Sequence, residues 1–268
     1  MTVHVTNNAV VDPRAEIDDD VVIGPFCVVG PGARIGRGTR LENNVTLMGN
    51  VTLGRENHLY PGAVLGGAPQ DLSYRESDTR LVIGDHNVIR ENATINRGSE
   101  KETGLTTIGS HCFLMTGIHV AHDCYVADHV VIANGTMLGG HVHIQDHATL
   151  SGAIAVHHFA TVGRYSFVGG MSSVRQDLPP FMLAEGCPAR PRCVNVVALK
   201  RNDFPAGVIK CLAEAHRLLF RSKVGLDQAR QLLRAGGKLI PQVNELFAFM
   251  ETQQEGRHGR ARELRRAA

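Results

Sequence analysis

Aliphatic residues recur at every sixth position over most of the chain. The series covers Val5–Leu65, Ile83–Ile95 and Ile108–Val174, and none of its twenty-six steps is polar. A period of six fits neither the 3.6 residues of a helical turn nor a hairpin meander, but it fits short parallel strands joined by tight turns. The pattern therefore predicts a parallel β-helix built from hexapeptides.

A second inward position lies two residues before each aliphatic step and holds small or β-branched side chains. It is occupied by Ala15, Val21, Cys27, Ala33, Thr39, Val45, Cys112, Cys124, Thr136 and Ala148. The pattern resembles the left-handed, three-sided hexapeptide-repeat family, which implies left-handed winding and eighteen residues per coil. Almost nine coils would form a prism on the order of 40 Å long at a strand spacing of about 4.8 Å.

Two polar segments interrupt the series, at about 66–80 and 97–106. We expect both to be loops expelled from the walls, and loops that interrupt a regular scaffold commonly carry its function. The predicted first domain is residues 1–190, the β-helix with these two loops.

Helical spacing follows a proline-rich connector at 176–195. Three apolar faces are expected, one with Val208, Leu212, Ala215 and Leu219, one with Leu226, Ala229 and Leu233, and one with Val243, Leu246, Phe247 and Met250. The fold class is therefore all-β with an α-helical C-terminal domain at 191–268. Its basic tail, 256–268, is expected to be disordered.

Composition narrows the function only slightly. The net charge of +2 and the lack of an RNA- or DNA-binding motif argue against a nucleic-acid partner. We expect a soluble, cytoplasmic protein without stable membrane insertion, because there is no signal-like start and no run of eighteen apolar residues. The six cysteines form no Cys-x-x-Cys pair, and we expect them to be reduced and structural.

Eighteen-residue winding turns sequence spacing into geometry. His122, Gly140 and His158 are eighteen residues apart, so they should stack on one outer edge. Asp123 and His141 stand at the next position of the same corner, and Asn96 is expected one coil below Ala121. We expect the six site residues of this group to cluster within roughly 15 Å.

Two kinds of chemistry fit such a cluster. A zinc site like that of the gamma-class carbonic anhydrases needs three convergent histidines, two of them five residues apart, and the spacings here do not match. A general base fits better, with His122 oriented by Asp123 and the Gly140 N–H placed for a developing oxyanion. This arrangement indicates acyl transfer, and we predict neither a metal nor another cofactor.

Seven motifs extend the resemblance over the whole chain: APQDL at 68–72, IRENATINRG at 89–98, AHDC at 121–124, LGGH at 138–141, AVHHF at 155–159, QDLPPF at 176–181 and VNVVALKR at 194–201. They resemble the acyl-acyl-carrier-protein:UDP-N-acetylglucosamine O-acyltransferase family of lipid A synthesis. The resemblance implies a homotrimer with active sites between adjacent prisms. It also implies transfer of a 3-hydroxyacyl chain from acyl carrier protein to the 3-hydroxyl of the UDP-sugar.

The resemblance also implies roles for individual residues. His122 would be the base, Asp123 its partner and the Gly140 amide the oxyanion donor. Asp71, His119, His141, His157 and His158 would contact the sugar nucleotide or the acyl donor, and Asn195 and Arg201 the uridine and phosphates. Gly170 stands where the family sets acyl-chain length.

Three positions depart from the family pattern. Ser73 replaces a lysine, Asn96 a histidine and His158 a glutamine. The lost lysine leaves open another nucleotide sugar or a 3-amino acceptor, with Arg75 or Arg80 as substitute charges. An N-acyltransferase of the same pathway is disfavoured, since the repeat starts at residue 5. A CoA-dependent acetyltransferase, a zinc protein and a catalytically silent trimer remain alternatives.

A basic surface suits an acidic carrier protein as donor. It comprises Arg190, Arg192, Lys200, Arg201, Arg221, Lys223, Arg257, Arg260 and Arg262.

Overall fold

A computed structural model of the chain describes residues 3–263. Within them the chain folds into a three-sided parallel β-helix followed by a helical region. The strands before the first loop are β1 (His4–Val5), β2 (Val10–Val11), β3 (Glu16–Ile17), β4 (Val22–Ile23), β5 (Val28–Val29), β6 (Arg34–Ile35), β7 (Arg40–Leu41), β8 (Thr46–Leu47), β9 (Asn50–Leu53), β10 (His58–Leu59) and β11 (Val64–Gly67). Those up to the end of the repeat are β12 (Arg80–Ile83), β13 (Val88–Ile89), β14 (Thr94–Asn96), β15 (Leu105–Ile108), β16 (Phe113–Leu114), β17 (His119–Val120), β18 (Tyr125–Val126), β19 (Val131–Ile132), β20 (Met137–Leu138), β21 (His143–Ile144), β22 (Thr149–Leu150), β23 (Ala155–Val156), β24 (Thr161–Val162), β25 (Phe167–Val168) and β26 (Ser173–Val174).

Every third strand lies in the same sheet. We call the sheet that begins with β1 wall A, the one with β2 wall B and the one with β3 wall C. In wall A, Ile23 pairs with Leu41, eighteen residues on. Ile89 pairs with Leu114, and the extra residues of that coil lie in the second loop. The predicted winding of eighteen residues per coil is therefore confirmed.

The repeat builds a single thin core. From Ile23 onward the aliphatic step residues are at most 4 % exposed, and the second inward residues fill the space between them. Cys27, Cys112 and Cys124 are buried free thiols at such inward positions, as predicted. Burying one such Leu, Ile or Val side chain contributes about 1.5–3 kcal/mol, so the stacked column stabilises the whole prism.

The prism has three edges, named AB, BC and CA after the walls they join. Both expelled loops leave from edge BC, one between β11 and β12 and the other between β14 and β15. Asp123, His141 and Phe159 occupy the same corner position on three successive coils of that edge, with φ of 58°, 62° and 63°. The edge therefore combines long polar loops with a regular ladder of corner side chains.

The connector predicted at 176–195 is more ordered than expected. It forms β27 (Met182–Gly186) and β28 (Ala189–Val194), an antiparallel pair that extends wall A. The helices are α1 (Val196–Arg201), α2 (Ala206–His216), α3 (Leu226–Ala235) and α4 (Pro241–Glu255), and a π-helical turn, Arg217–Arg221, continues α2. The three predicted apolar faces lie in α2 and its continuation, α3 and α4. Helix α1 was not predicted. The proposed domain boundary at residue 190 falls within β28.

The prediction of a disordered tail is wrong for residues 256–263. Arg260 is only 6 % exposed, and its guanidinium donates to the Arg175 carbonyl oxygen at 2.8 Å. The carboxylate of Asp177 accepts from the Ala261 N–H at 2.7 Å. Hydrogen bonds from the Arg260 guanidinium and the Ala261 backbone to carbonyl and carboxylate oxygens therefore order this segment. Residues 264–268 of the predicted tail lie outside the described part of the chain.

Among the described residues, no helix is long and apolar enough to cross a membrane.

Candidate active site

Edge BC brings together the six residues that the winding places there: Asn96, His122, Asp123, Gly140, His141 and His158. The rings of His122 and His141 lie edge to face with their centroids 5.1 Å apart. His141 stacks on Phe159 at 4.4 Å, and His158 packs against the same ring at 5.6 Å. The expected clustering of imidazoles on one ridge is therefore present.

His122 and Asp123 form a close imidazole–carboxylate pair on this edge. The His122 Nδ1 lies 2.7 Å from the Asp123 Oδ2, and the Asp123 side chain is fully buried. Burial alone would raise the pKa of Asp123, but hydrogen bonds from His122 and Ser99 outweigh it and keep that pKa below its ordinary value. The carboxylate therefore accepts the Nδ1 proton, which leaves the His122 Nε2 as a proton acceptor.

Ser99, which the sequence did not single out, holds the carboxylate of Asp123 in place. Its N–H donates to Oδ1 at 2.8 Å and its hydroxyl donates to Oδ2 at 2.6 Å. Ser99 is 1 % exposed, so these bonds are shielded from water. The pair is thus rigid before any substrate arrives, which is a requirement for an oriented base.

Gly140 lies directly against the imidazole of His122. A Cβ built on Gly140 would be 2.7 Å from the His122 Cε1 and 2.8 Å from its Nε2. Any larger residue would displace the ring. The Gly140 N–H donates to no residue that the structure describes. It is therefore available to donate to the carbonyl oxygen of a substrate.

Loop 97–104 joins the separate parts of the edge through consecutive side chains. After Ser99 comes Glu100, which accepts from the Arg75 N–H and the Ser77 hydroxyl, each at 2.8 Å. Next, Lys101 Nζ lies 2.5 Å from the Asp71 Oδ2. The two expelled loops are therefore bonded to each other.

Lys101 restores a positive charge near Asp71, where the sequence had suggested that a lysine was lost. Asp71 also accepts from the N–H and hydroxyl of Ser73, at 2.9 and 2.8 Å. The bond from Lys101, followed by those from Ser73, holds the pKa of Asp71 well below its ordinary value. Among described residues Lys101, and neither Arg75 nor Arg80, pairs with this carboxylate.

His119, Asn96 and His157 have local partners. The Nδ1 of His119 lies 2.8 Å from the Thr94 hydroxyl on the outer face of wall B. Burial, and next the charge of His122, lower the pKa of His119. Asn96 donates to the Ala68 carbonyl at 2.9 Å, while its buried Oδ1 has no partner among the described residues. His157 lies against His158, with ring centroids 3.8 Å apart.

His141 is held by groups from two distant segments. Its Nδ1 lies 3.2 Å from a Glu102 carboxylate oxygen, and the guanidinium of Arg262 bonds to its carbonyl oxygen. Arg262 also lies 3.5 Å from Glu102. Burial lowers the pKa of His141, and Glu102 opposes this only in part. The ordered tail therefore reaches the candidate site.

Three predicted site residues lie away from edge BC. Gly170 is a corner residue of edge AB. Asn195 caps α1 by accepting from the Ala198 N–H at 3.2 Å, and it lines a cavity of about 370 Å³ together with Arg201 and the edge-CA residue His147. Within one chain, the structure does not bring these three residues to His122.

A metal-binding alternative rests on the same imidazoles. His122, Asp123 and His141 have potential ligand atoms within 4.8 Å of one another. The Asp123 oxygens already accept from Ser99 and His122, and the His141 Nδ1 faces Glu102. The hydrogen bonding therefore favours an oriented base over a zinc centre with open coordination.

His143, on the outer face of wall C, predicts acid sensitivity of the fold. Burial, and then Arg262 and His141, lower its pKa to about 4. The unfolded chain, with a His pKa of about 6.5, takes up this proton first as the pH falls. The contribution of neutral His143 to the stability of the fold is therefore complete above about pH 6.5 and is lost as the pH falls toward 4.

Between pH 7.5 and pH 5, we expect the free energy of unfolding per chain to fall by about 2 kcal/mol less in the His143→Gln variant than in the wild type. Urea unfolding of both proteins at equal concentration at each pH measures this difference. Equal losses in the two proteins would contradict the assigned titration.

Comparison with known proteins identifies the family of the chain. A sequence profile described as "Udp N-acetylglucosamine O-acyltransferase; Domain 2" matches residues 177–259, and a bacterial transferase hexapeptide profile of six repeats matches residues 105–140. The acyl-[acyl-carrier-protein]–UDP-N-acetylglucosamine O-acyltransferase of Paraburkholderia xenovorans is 44% identical over 92% of this chain and 96% of its own length. The enzyme of that name from Syntrophobacter fumaroxidans is 42% identical over 96% of this chain and 99% of its own.

Solved structures agree with the sequence relatives. LpxA of Acinetobacter baumannii superposes with a TM-score of 0.86 at 37% identity, covering 91% of this chain and 95% of its own. LpxA of Bacteroides fragilis, a UDP-N-acetylglucosamine acyltransferase, has a TM-score of 0.90 at 30% identity, covering 98% and 100%. The predicted left-handed β-helix with a helical C-terminal region is thereby confirmed. The chain belongs to the acyl-[acyl-carrier-protein]–UDP-N-acetylglucosamine O-acyltransferase family.

Proposed function

We propose that this chain transfers a 3-hydroxyacyl group from acyl carrier protein to the 3-hydroxyl of UDP-N-acetylglucosamine, the first step of lipid A synthesis, with His122 as the general base. One observation carries the proposal: the His122 Nδ1 is bonded to the buried Asp123 carboxylate at 2.7 Å, beside the side-chain-free Gly140. With acyl carrier protein as the donor, the reaction takes place in the cytoplasm.

The mechanism needs no covalent enzyme intermediate. The sugar 3-hydroxyl gives its proton to the His122 Nε2 while its oxygen attacks the thioester carbonyl carbon. The carbonyl oxygen becomes an oxyanion and accepts from the Gly140 N–H. Asp123 stabilises the imidazolium, which then protonates the leaving thiolate of the carrier's prosthetic group.

The positions of the remaining predicted residues support a homotrimer. Gly170 lies on edge AB and Arg201 beside edge CA, so these residues reach a site on edge BC only if a neighbouring chain supplies them. Exposed apolar side chains on wall B and edge AB favour such packing: Val10, Phe26, Val28, Met137 and Met171. Sedimentation equilibrium should give three times the chain mass.

A kinetic panel tests the function. Purified protein is assayed with 3-hydroxyacyl thioesters of acyl carrier protein of several lengths, with the matching acyl-CoA, and with UDP-N-acetylglucosamine or its 3-amino analogue. We expect the carrier-protein thioester and the 3-hydroxyl acceptor to react fastest. Exclusive use of acyl-CoA, or a preference for the 3-amino acceptor, would replace this proposal with one of its rivals.

Lys101 should assist binding of the sugar nucleotide, because it supplies the cation beside Asp71. We expect Lys101→Met to raise the KM for the UDP-sugar about 10-fold with little change in kcat, the effect of losing one charge-assisted contact. Lys223→Met, which removes a lysine far along the chain in the helical region, serves as the control. An unchanged KM would exclude Lys101 from the nucleotide site.

Gly170 should set the length of the acyl chain. A Cβ there meets only ordinary contacts, 3.4 Å from the Gly152 carbonyl oxygen and 3.5 Å from the Ser151 hydroxyl, so a side chain can project from the corner without disturbing it. We expect Gly170→Met to shift the preferred donor toward shorter chains and Gly170→Ala to shift it little. The same length profile in all three proteins would contradict this role.

A further inference from the structure

A second cavity, of about 620 Å³, lies in the helical region between β28 and α2. Val194, Val196 and Ala213 supply apolar surface to it. None of the residues assigned above to the candidate active site lines it. Within one chain, this cavity is therefore separate from the residues proposed for acyl transfer on edge BC.

Cations dominate the charged lining of this cavity. Lys210, Arg217 and Arg221 lie on one face of α2 and its π-helical continuation, and Lys238 faces them from the segment before α4. Glu214 is the one carboxylate among the described lining residues, and both its oxygens are bonded to Arg217, at 2.8 and 3.1 Å. The other three cations have no ion-pair partner among the residues described. The cavity thus presents unneutralised positive charge around an apolar surface.

His216 also lines this cavity. It is 5 % exposed, and its buried Nε2 has no hydrogen-bond partner among the described residues. The Pro191 carbonyl accepts from the ring, and we assign this bond to Nδ1 because Nε2 has no partner among the described residues. Burial and Arg221 lower the pKa of His216, so the ring is neutral and its Nε2 is an acceptor. An unpaired buried acceptor destabilises the fold, and a ligand with an O–H donor would satisfy it.

We propose that this cavity binds a phosphomonoester with a small apolar substituent. Lys210, Arg221 and Lys238 hold the charged phosphate oxygens, the residual P–OH donates to the His216 Nε2, and the substituent contacts Val194 and Val196. Inorganic phosphate is the minimal ligand of the same chemistry. A sulfate has the charge but no proton to donate, so the site discriminates against it.

Calorimetric titration of the full chain tests the proposal at about pH 6, near the second pKa of a phosphomonoester. The probes are phenyl phosphate, inorganic phosphate and sulfate at equal ionic strength. We expect one phenyl phosphate per chain, bound more tightly than phosphate, and phosphate at least 10-fold more tightly than sulfate. Equal affinity for sulfate and phosphate, or no binding of either phosphate compound, would overturn the proposal.

Variants locate the binding site. The Lys210→Met/Lys238→Met double variant changes the rim of the cavity and should weaken phenyl phosphate binding at least 10-fold. His216→Phe should abolish the preference for phosphate over sulfate. Arg201→Gln, which removes a residue proposed for the nucleotide site, should bind phenyl phosphate normally. Unchanged affinity in the double variant, or lost affinity in Arg201→Gln, would place the ligand elsewhere and overturn the proposal.

Discussion

Replacing His122 by alanine is expected to lower the rate of acyl transfer by about 10²-fold or more, the usual scale for loss of a general base. The His122 Nε2 is the proton acceptor. The Asp123 carboxylate orients the ring through a bond to Nδ1 on its other side, with the Nδ1 and Oδ2 atoms 2.7 Å apart. Alanine removes that acceptor but leaves the inward neighbours of the coil intact. We therefore expect a folded trimer with a normal KM and a reduced kcat.

A second imidazole–carboxylate pair supplies the control. His58 on wall A lies 2.7 Å from Glu42, the same separation as in the candidate site, but without an adjacent glycine or expelled loop. We expect His58→Ala to retain near wild-type kcat with a carrier-protein thioester and UDP-N-acetylglucosamine. Wild-type turnover in His122→Ala would remove this residue from the mechanism.

Sequence periodicity predicted the fold and the main cluster because, in a β-helix, the number of residues between two positions fixes the distance between them in space. The expectation that Asn96 lies one coil below Ala121 follows from the spacing once the second loop is taken to hold the seven extra residues, and it agrees with the pairing of Ile95 with Val120. The same arithmetic brought His122 and His141 to one edge. Such inferences hold wherever strands keep a fixed register, since each coil repeats the one before it.

Spacing fails where the chain leaves the walls. Ser99, Lys101 and Glu102 lie in an expelled loop with no period, so no arithmetic could place them on Asp123, Asp71 and His141. Composition identified the loop as polar and nothing more. The bonds that these residues make depend on how two loops fold against each other, which only the three-dimensional structure provides.

The connector and tail show a second limit of sequence reasoning. Prolines and basic residues indicated irregular or solvated chain, but the buried Asp177 carboxylate accepts from the Ala261 N–H and the Arg175 carbonyl accepts from the Arg260 guanidinium. Tertiary pairing of polar groups therefore decides the order of this segment, and local composition does not report it.

Gly140→Ala is expected to lower kcat about 10²-fold through displacement of the base rather than its removal. The new Cβ would lie 2.7 Å from the His122 Cε1, closer than carbon atoms approach, so the ring must turn away from Asp123. Gly140 does not need a left-handed backbone, so alanine is compatible with the local fold. The thermal unfolding midpoint should change little while activity falls.

A double-mutant cycle decides whether the methyl group acts through the ring. If it does, Gly140→Ala costs nothing further in a His122→Ala background, because the atom that it displaces is already absent. We expect less than about a 3-fold additional loss in the double variant, measured by kcat with a carrier-protein thioester. A second full loss of about 10²-fold would mean that the methyl group instead disturbs the Gly140 N–H, and it would assign the larger share of the effect to the oxyanion contact.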